Sequence, residues 1–329
     1  MTDANSNTGR RVRFGQTDLQ VSRLCQGTAF RHLPRADDPR GEQVLRHCLE
    51  RGVNFFDSAI AYGWGGAETL LGKTIAGCRD QVVICTKVPA SYAPKEEGGS
   101  GERAHFTRDY LFEQAEGSLE RLGTDYLDLY LLHQPDHFTP AAEIVGSMDE
   151  LVQTGKIRYW GVSNHSGAQV SEYVELGKTT DTAPIVGTED YYNIAGESRN
   201  PQGESRMLKL EQEVFPVLRH AGLGLLAFSP MDTGNLAPGQ PVEPGSPLED
   251  LIGVLDQVSG ELGVARATVC TAWVLTHPEV SSVLAGSESP EHVDHNLAGT
   301  ELELPEPALE TLNAANAQYR ERQIAENNA

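Results

Sequence analysis

Residues 54–63, NFFDSAIAYG, carry the reading that decides the fold. The Phe55-Phe56 pair drives toward a core, yet the run ends on Asp57, and a phenol, Tyr62, follows in the next turn. A carboxylate at the edge of a core is costly unless a cation or hydrogen-bond donors meet it, so a partner is expected elsewhere in the chain. The same pattern of a short apolar, β-forming run recurs almost from end to end: LCQG (24–27), VNFFDS (53–58), VVICTKV (82–88), LDLYLLH (127–133), YWGVSN (159–164), IVGTEDYY (185–192), LGLLAFS (223–229) and SSVLAG (281–286). These runs are near-continuously apolar rather than alternating, as parallel strands covered on both faces require. Helix-period segments separate them, near 41–51, 67–77, 108–122, 141–154, 166–177, 207–220, 249–276 and 290–298. Strands and helices alternating in this number predict a closed α/β barrel, the (β/α)8 or TIM barrel.

Ahead of the first barrel strand, RVRFGQTDLQVSR (11–23) alternates on either side of a turn signal and predicts a β-hairpin that caps one barrel end. Two long breaks, 89–107 with PKEEGGSGE and 230–248 with repeated Pro and Gly, predict long loops at the C-terminal face. The organisation expected is a flexible tail over 1–10, one barrel domain over 11–320 and a C-terminal tail over 321–329. The 329 residues carry 47 acidic against 26 basic side chains, a formal net charge of -21. That balance disfavours nucleic acid and anionic membrane as partners, because phosphate binding needs clustered Lys and Arg. The first ten residues lack the apolar stretch of a signal peptide, and no apolar run reaches the roughly 18 to 20 residues that span a bilayer. Cys25, Cys48, Cys78, Cys85 and Cys270 form an odd set with no CxxC and no metal-ligand spacing, which points to reduced thiols in a cytoplasm and to no metal site.

In a barrel of this kind the C-terminal strand ends form the active face. Asp57 ends the second strand, Lys87 stands near the end of the third, His133 ends the fourth, and Tyr62 follows in the loop after the second. Four titratable side chains thus converge on one mouth from neighbouring strands. A free phenol has a pKa of about 10, too high for easy proton exchange near neutrality. A Lys87 ammonium beside Tyr62 would lower it, Asp57 would hold that ammonium charged and in place, and His133 would position a substrate oxygen. The competing reading is an ion pair that merely fills the barrel mouth.

NFFDSAIAYGWGGAETLLGKTI, SLERLGTDYLDLYLLHQPD, GKIRYWGVSN and SPEHVDHNL, in that order and over nearly the whole chain, resemble the aldo-keto reductase superfamily. The resemblance implies a (β/α)8 barrel that binds a nicotinamide dinucleotide, NAD(P)(H), without a Rossmann domain, and it makes Asp57, Tyr62, Lys87 and His133 the catalytic tetrad. It also implies a cofactor site. Ser163 and Asn164 match the residues that hold the nicotinamide carboxamide, although they equally suit an N-cap before the helix from 166. Glu189 stands where relatives carry Gln in that same contact; a carboxylate accepts from an amide but cannot donate. Phe228 matches a stacking platform for the nicotinamide, or is a core strand Phe. Ser229, Met231, Gly234 and Leu236 follow the segment that passes over the pyrophosphate. Gly286, Ser287, Glu288 and His292 stand in and after the turn that meets the adenosine phosphate, and Asn296 matches the contact to adenine. NADP-preferring relatives place Lys or Arg in that turn. Glu288 would repel a 2′-phosphate and accept from a ribose hydroxyl, so the cofactor leans toward NAD, unless Glu288 turns to water at a helix start.

The function expected is hydride transfer between the nicotinamide and an aldehyde or ketone, or the corresponding alcohol, with Tyr62 as acid and base and with small aldehydes, aldoses or lactols as the substrate class that the resemblance suggests. Phe30, Trp64 and Tyr92 are candidates for the pocket wall. Two rivals come from other classes. A non-catalytic nucleotide-binding regulatory subunit of the same fold would bind cofactor without turnover. A metal-dependent sugar isomerase on the same barrel needs clustered carboxylate and His ligands, of which the second to fourth strand ends offer one each.

Overall fold

The computed structural model describes residues 11–30, 39–196 and 210–327. The expected tail over 1–10 lies outside the described residues. The chain opens with the hairpin strands β1 (Arg11–Arg13) and β2 (Gln20–Ser22), then runs through β3 (Leu24–Gly27), α1 (Pro39–Glu50), β4 (Phe55–Asp57), α2 (Gly66–Ile75), β5 (Val83–Val88), α3 (Arg108–Leu122), β6 (Leu127–Leu132), α4 (Ala141–Gln153), β7 (Ile157–Ser163) and α5 (Gly167–Thr180). It continues with β8 (Ile185–Tyr191), α6 (Phe215–Ala221), β9 (Gly224–Phe228), α7 (Pro247–Leu262), α8 (Arg266–Val274), β10 (Val280–Ala285), α9 (Pro290–Glu301) and α10 (Glu306–Asn327). The strands from β3 to β10 are parallel, and β10 pairs with both β9 and β3, which closes a (β/α)8 barrel.

Alternation along each strand divides the apolar residues between two environments. Leu24, Phe56, Ile84, Tyr130, Leu132 and Trp160 face outward and pack with the helices in one large core. Cys25, Phe55, Val83, Cys85, Leu129, Leu131 and Leu226 form a separate inner cluster. The hairpin plugs the N-terminal end of that cluster: Phe14 meets Phe55 edge-on at 6.0 Å, and Leu19 and Val21 are buried beside it. Gly15 makes the plug fit, because its φ is +53° and a Cβ there would lie 2.6 Å from the Val186 carbonyl oxygen.

Two sequence expectations about elements are corrected. The single helix over 249–276 is two helices, α7 and α8, broken where Gly263 adopts φ 66° and its N–H caps the carbonyls of Ser259 and Gly260. Glycine tolerates that left-handed turn, and helical periodicity on both sides hides it. A closing helix not anticipated from the strand count, α10, runs over Glu306–Asn327 and crosses the expected boundary at 320, since ANAQYRERQIAEN contains strong helix formers and neither Gly nor Pro. The long loop expected over 89–107 has internal order: Ser91 bridges Arg103, a short 3₁₀ turn covers Lys95–Glu97, and Tyr92 N–H donates to the Glu102 carbonyl at 2.9 Å. Of the helix expected over 207–220, residues 207–209 lie outside the described residues, and the rest begins as a π-turn at Leu210–Val214 before α6.

Candidate active site

The inward parity that carries apolar residues at the base of the barrel carries polar ones at its C-terminal mouth. Phe55 is followed two residues later by Asp57, Cys85 by Lys87, Leu131 by His133, and Gly187 by Glu189. Asp57 and Lys87 are 1% and 0% exposed, and the Lys87 ammonium lies 2.5 Å from Asp57 Oδ1, 3.1 Å from the Ser58 carbonyl, 3.2 Å from Tyr62 Oη and 3.2 Å from Glu189 Oε1. Asp57 therefore has the cation its burial requires. Glu189, 2% exposed, supplies a second carboxylate to the same ammonium.

Tyr62 is placed by the loop after β4. Ile60 N–H donates to the Lys87 carbonyl at 3.3 Å, Tyr62 N–H closes a turn onto Ala59 at 3.0 Å, and positive φ at Gly63, Trp64 and Gly65 turns the chain into α2. The Tyr62 ring meets the His133 ring edge-on at 5.8 Å, with Lys87 Nζ 4.9 Å from its centroid. The structure brings Asp57, Tyr62, Lys87 and His133 together.

The electrostatics differ from the expectation in one respect. Burial raises the Tyr62 phenol above its ordinary value; Lys87 pulls it down, but Asp57 and Glu189 push it back up. Lys87 is held charged, its two carboxylates outweighing the burial that opposes its charge. Glu189 is pushed well up, by burial first and then by the Asp57 charge. The phenol is thus loaded with its proton in the resting site. Burial and the nearby Lys87 push His133 down to about 3, which leaves it neutral. Asp57, Cys85 and Glu189 hold donor atoms within 4.8 Å of one another, but the Lys87 ammonium fills the cation position between Asp57 and Glu189.

The expected cofactor residues lie around this mouth. Ser163, at the end of β7, is buried, and Asn164 takes a left-handed φ of 60°, from which its amide donates to the His133 carbonyl at 3.1 Å and to Ser163 Oγ at 2.8 Å. Neither caps α5, since Ser166 does so in a capping box with Gln169. Phe228 is partly exposed and edge-on to Tyr191 at 5.6 Å. Ser229 (φ 63°), Met231 and Gly234 (φ 100°) form the turn after β9, which the Asn193 amide holds through the Ser229 carbonyl at 2.9 Å and which Tyr191 holds through a short hydrogen bond to Asp232. Gly286 is exposed with open space on its side-chain side, Ser289 caps α9 by accepting from His292 N–H, and Glu288 stands between them, partly exposed.

Several of these residues serve the fold instead of, or as well as, a ligand. The Leu236 side chain is fully buried in the core beneath α7 and α8, leaving only its backbone at the turn. Asn296 is buried, its amide donating to Ser287 Oγ at 3.2 Å and to the His292 carbonyl at 2.8 Å, while its oxygen accepts from Thr271 at 2.9 Å. Phe30 is corrected as a pocket-wall residue: it is 2% exposed and packs among Gly41, Leu70 and the outer core, where burial of its ring is worth most. Tyr92 is 43% exposed, edge-on to Tyr110 at 5.3 Å, and Trp64 packs partly against the outer core. The Glu189 carboxyl points to Lys87 rather than to Ser163 and Asn164, which meet only its strand and its carbonyl.

Sequence reasoning missed Asp190, next to Glu189 on β8. It is 1% exposed, its Oδ1 accepts from the Asn164 N–H at 3.0 Å, and its Oδ2 is buried without a hydrogen bond. It thereby fixes the left-handed turn at Asn164. Burial pushes its carboxyl up to about 7, against the opposing pull of the nearby Thr188 hydroxyl and of the Asn164 N–H. Because the folded value exceeds the unfolded one of about 4, Asp190 withdraws stability as pH rises through that window. Asp190→Asn keeps an oxygen for Asn164 N–H and removes the charge. It should raise unfolding free energy by about 1–3 kcal/mol near pH 8 and by almost nothing near pH 4, as read from urea unfolding. A variant less stable than the parent at the higher pH would refute this account of Asp190.

The sequence profile described as the Aldo/keto reductase family matches residues 23–317, the whole barrel. A "Probable voltage-gated potassium channel subunit beta" of Oryza sativa subsp. japonica is 30% identical over 308 residues, covering 86% of this chain and 89% of its own. A protein of the same printed name from Arabidopsis thaliana is 30% identical, with 88% and 90% covered. The "Uncharacterized oxidoreductase YrpG" of Bacillus subtilis (strain 168) is 30% identical, with 91% and 94% covered. No helix among the described residues is long and apolar enough to cross a membrane. With its closed barrel and a family match that spans it, this chain belongs to the aldo/keto reductase family.

Proposed function

We propose that the protein is a nicotinamide-dependent oxidoreductase acting on an aldehyde or ketone and the corresponding alcohol, an aldose or lactol among them, with Tyr62 as its acid and base. The observation that carries this reading is the buried Lys87 ammonium, 3.2 Å from the Tyr62 oxygen and 2.5 Å from Asp57. In reduction Tyr62 gives its proton to the carbonyl oxygen; in oxidation it takes one from the alcohol. Lys87 stabilises the phenolate left behind, and Asp57 keeps Lys87 charged and in place. Neutral His133, its ring edge-on to Tyr62, would position a substrate oxygen.

A bound dinucleotide supplies or accepts the hydride at C4 of its nicotinamide. Ser163 and Asn164 would hold the carboxamide, Phe228 the ring face, the turn through Ser229, Met231 and Gly234 the pyrophosphate, and the segment from Gly286 to His292 with Asn296 the adenosine. The open space at Gly234 and Gly286 suits such a ligand. All five cysteines are free thiols, which suits a reducing cytoplasm. The test is reduced-nicotinamide oxidation across a panel of aldehydes, ketones and aldoses, run beside cofactor binding followed by protein fluorescence. Turnover with at least one carbonyl is expected.

A second reading rests on the two plant relatives named as potassium channel β subunits. In it the chain binds the dinucleotide as a regulatory subunit of a protein assembly. Fluorescence quenching by cofactor with no turnover across the whole panel would favour it.

NAD is the favoured dinucleotide, because residues 281–300 contain neither Lys nor Arg and place Glu288 beside the turn at Gly286. Glu288→Arg replaces repulsion of a 2′-phosphate with a charge-assisted contact worth about 1–3 kcal/mol. The ratio of NAD to NADP dissociation constants should move toward NADP by about 5- to 150-fold in titrations at fixed ionic strength. A wild type that strongly prefers NADP, or a ratio unmoved by the substitution, would sink the assignment.

A further inference from the structure

Glu189 stands out because the catalytic chemistry needs only one carboxylate on Lys87, and this site has two. Asp57 Oδ1 is 2.5 Å from the ammonium and Glu189 Oε1 is 3.2 Å away, the same distance as the Tyr62 oxygen on that nitrogen. All of this lies inside the barrel, where the Asp57, Lys87 and Glu189 side chains are 3% exposed or less. The other Glu189 oxygen is 4.0 Å from Cys85 Sγ. The ionisable groups facing Glu189 are Asp57 on β4, Lys87 and Cys85 on β5, Cys25 on β3, and Tyr62 from the loop. From the two neighbouring strands its registered partners are Ser163 and Leu226, neither of them ionisable near neutrality.

We propose that Glu189 is a positioning residue for proton transfer at Tyr62: its carboxyl competes with the phenol for the Lys87 ammonium, and loss of its proton draws Lys87 away from Tyr62. The proposal rests on the functional reading of Tyr62 given above. With Asp57 ionised and Lys87 charged, a neutral Glu189 leaves the pair balanced and lets the ammonium serve the phenol. An ionised Glu189 adds a net negative charge to a dry cavity, which opposes formation of a phenolate. Burial and the Asp57 charge both favour the neutral acid in the resting site. As pH rises, the carboxyl gives up its proton before the phenol, because a carboxylic acid starts about 5–6 units more acidic. Tyr62 then titrates against an ionised Glu189, and its proton is released later than it would be beside an amide.

The experiment reads the phenol directly. Protein labelled with ¹³C at tyrosine Cζ is titrated by NMR, and the Tyr62 resonance is assigned by its loss in Tyr62→Phe. Glu189→Gln keeps the side-chain shape and removes the charge, and it should lower the Tyr62 midpoint by about 1 unit or more, so that about tenfold more phenolate is present at any pH below both midpoints. Should the Gln variant not fold, Glu189→Met carries the same test, since it also removes the charge at similar size and must also lower the midpoint. An unmoved or raised Tyr62 midpoint in a folded variant overturns the proposal. In alcohol oxidation the alkaline rise of kcat should move to lower pH in step with the midpoint while KM stays put; a kcat profile that stays in place while the midpoint moves also overturns it. A midpoint that moves in an enzyme with no turnover on any panel substrate supports the role of Glu189 and defeats the oxidoreductase reading. Turnover with an unmoved midpoint does the reverse.

Discussion

Tyr62→Phe should abolish turnover by about 10²- to 10⁴-fold while leaving the cofactor dissociation constant close to that of the parent, because a positioned acid–base group contributes a factor of that size and this substitution removes nothing else. The ring keeps its edge-on packing against His133, 5.8 Å between centroids. Lys87 keeps Asp57, Glu189 and the Ser58 carbonyl, so no buried charge is stranded. What disappears is the phenol proton, which burial holds on Tyr62 in the resting site. A site loaded in this way is ready to protonate a carbonyl at neutral pH and needs a higher pH to work as a base. Steady-state kinetics and fluorescence titration of one preparation separate the two effects. A Phe variant that kept a third of the parent kcat would remove Tyr62 from the chemistry and the tetrad reading with it.

The barrel is readable in the sequence because its physics is local and repeated. Each strand must bury both faces, so LDLYLL and VICTKV are mostly apolar around Asp128, Thr86 and Lys87, and all twelve of these positions are buried. The candidate catalytic residues are readable for the same reason: a charge on the inward parity of a buried strand has few explanations. The same parity extends to Glu189, two residues after Gly187, and shows that its side chain enters the barrel. It does not show that the carboxyl turns to Lys87, because that depends on β8 lying across the barrel interior from β4 and β5, a long-range fact. Other features were hidden in different ways. The break between α7 and α8 rests on one glycine in a left-handed conformation, inside a run whose periodicity continues on both sides. Phe30 is indistinguishable in sequence from a ring lining a pocket, and only the packing around Gly41 and Leu70 assigns it to the core. Asn164 was matched to a ligand contact, but its left-handed turn depends on Asp190, whose buried charge no pattern marks.

Lys87→Met should destabilise the fold as well as the chemistry, and the two losses should differ in their dependence on pH. Removing the ammonium leaves Asp57 and Glu189 facing each other at 1% and 2% exposure with no cation between them. Breaking a buried pair in this way is typically worth about 3–5 kcal/mol. Burial already raises both carboxyls. Without Lys87, which lowers both, they rise further, so the folded protein holds protons that the unfolded chain has released. A group whose folded value exceeds its unfolded one gives up stability as pH rises. The variant should therefore lie closest to wild type near pH 3, where the unfolded carboxyls are mostly neutral as well, and fall below it by about 3–5 kcal/mol near pH 8. Urea unfolding at the two pH values measures the difference. Turnover should fall by about 10²-fold or more at every pH, because the phenolate loses its cationic neighbour. Restoring neutrality separates the two effects: Asp57→Asn combined with Lys87→Met removes one of the stranded charges and should recover much of the stability at pH near 8 with none of the activity. If Lys87→Met alone proved as stable as the parent at the higher pH, the two carboxylates would not depend on the ammonium, and the charge arrangement at the barrel mouth would need another explanation.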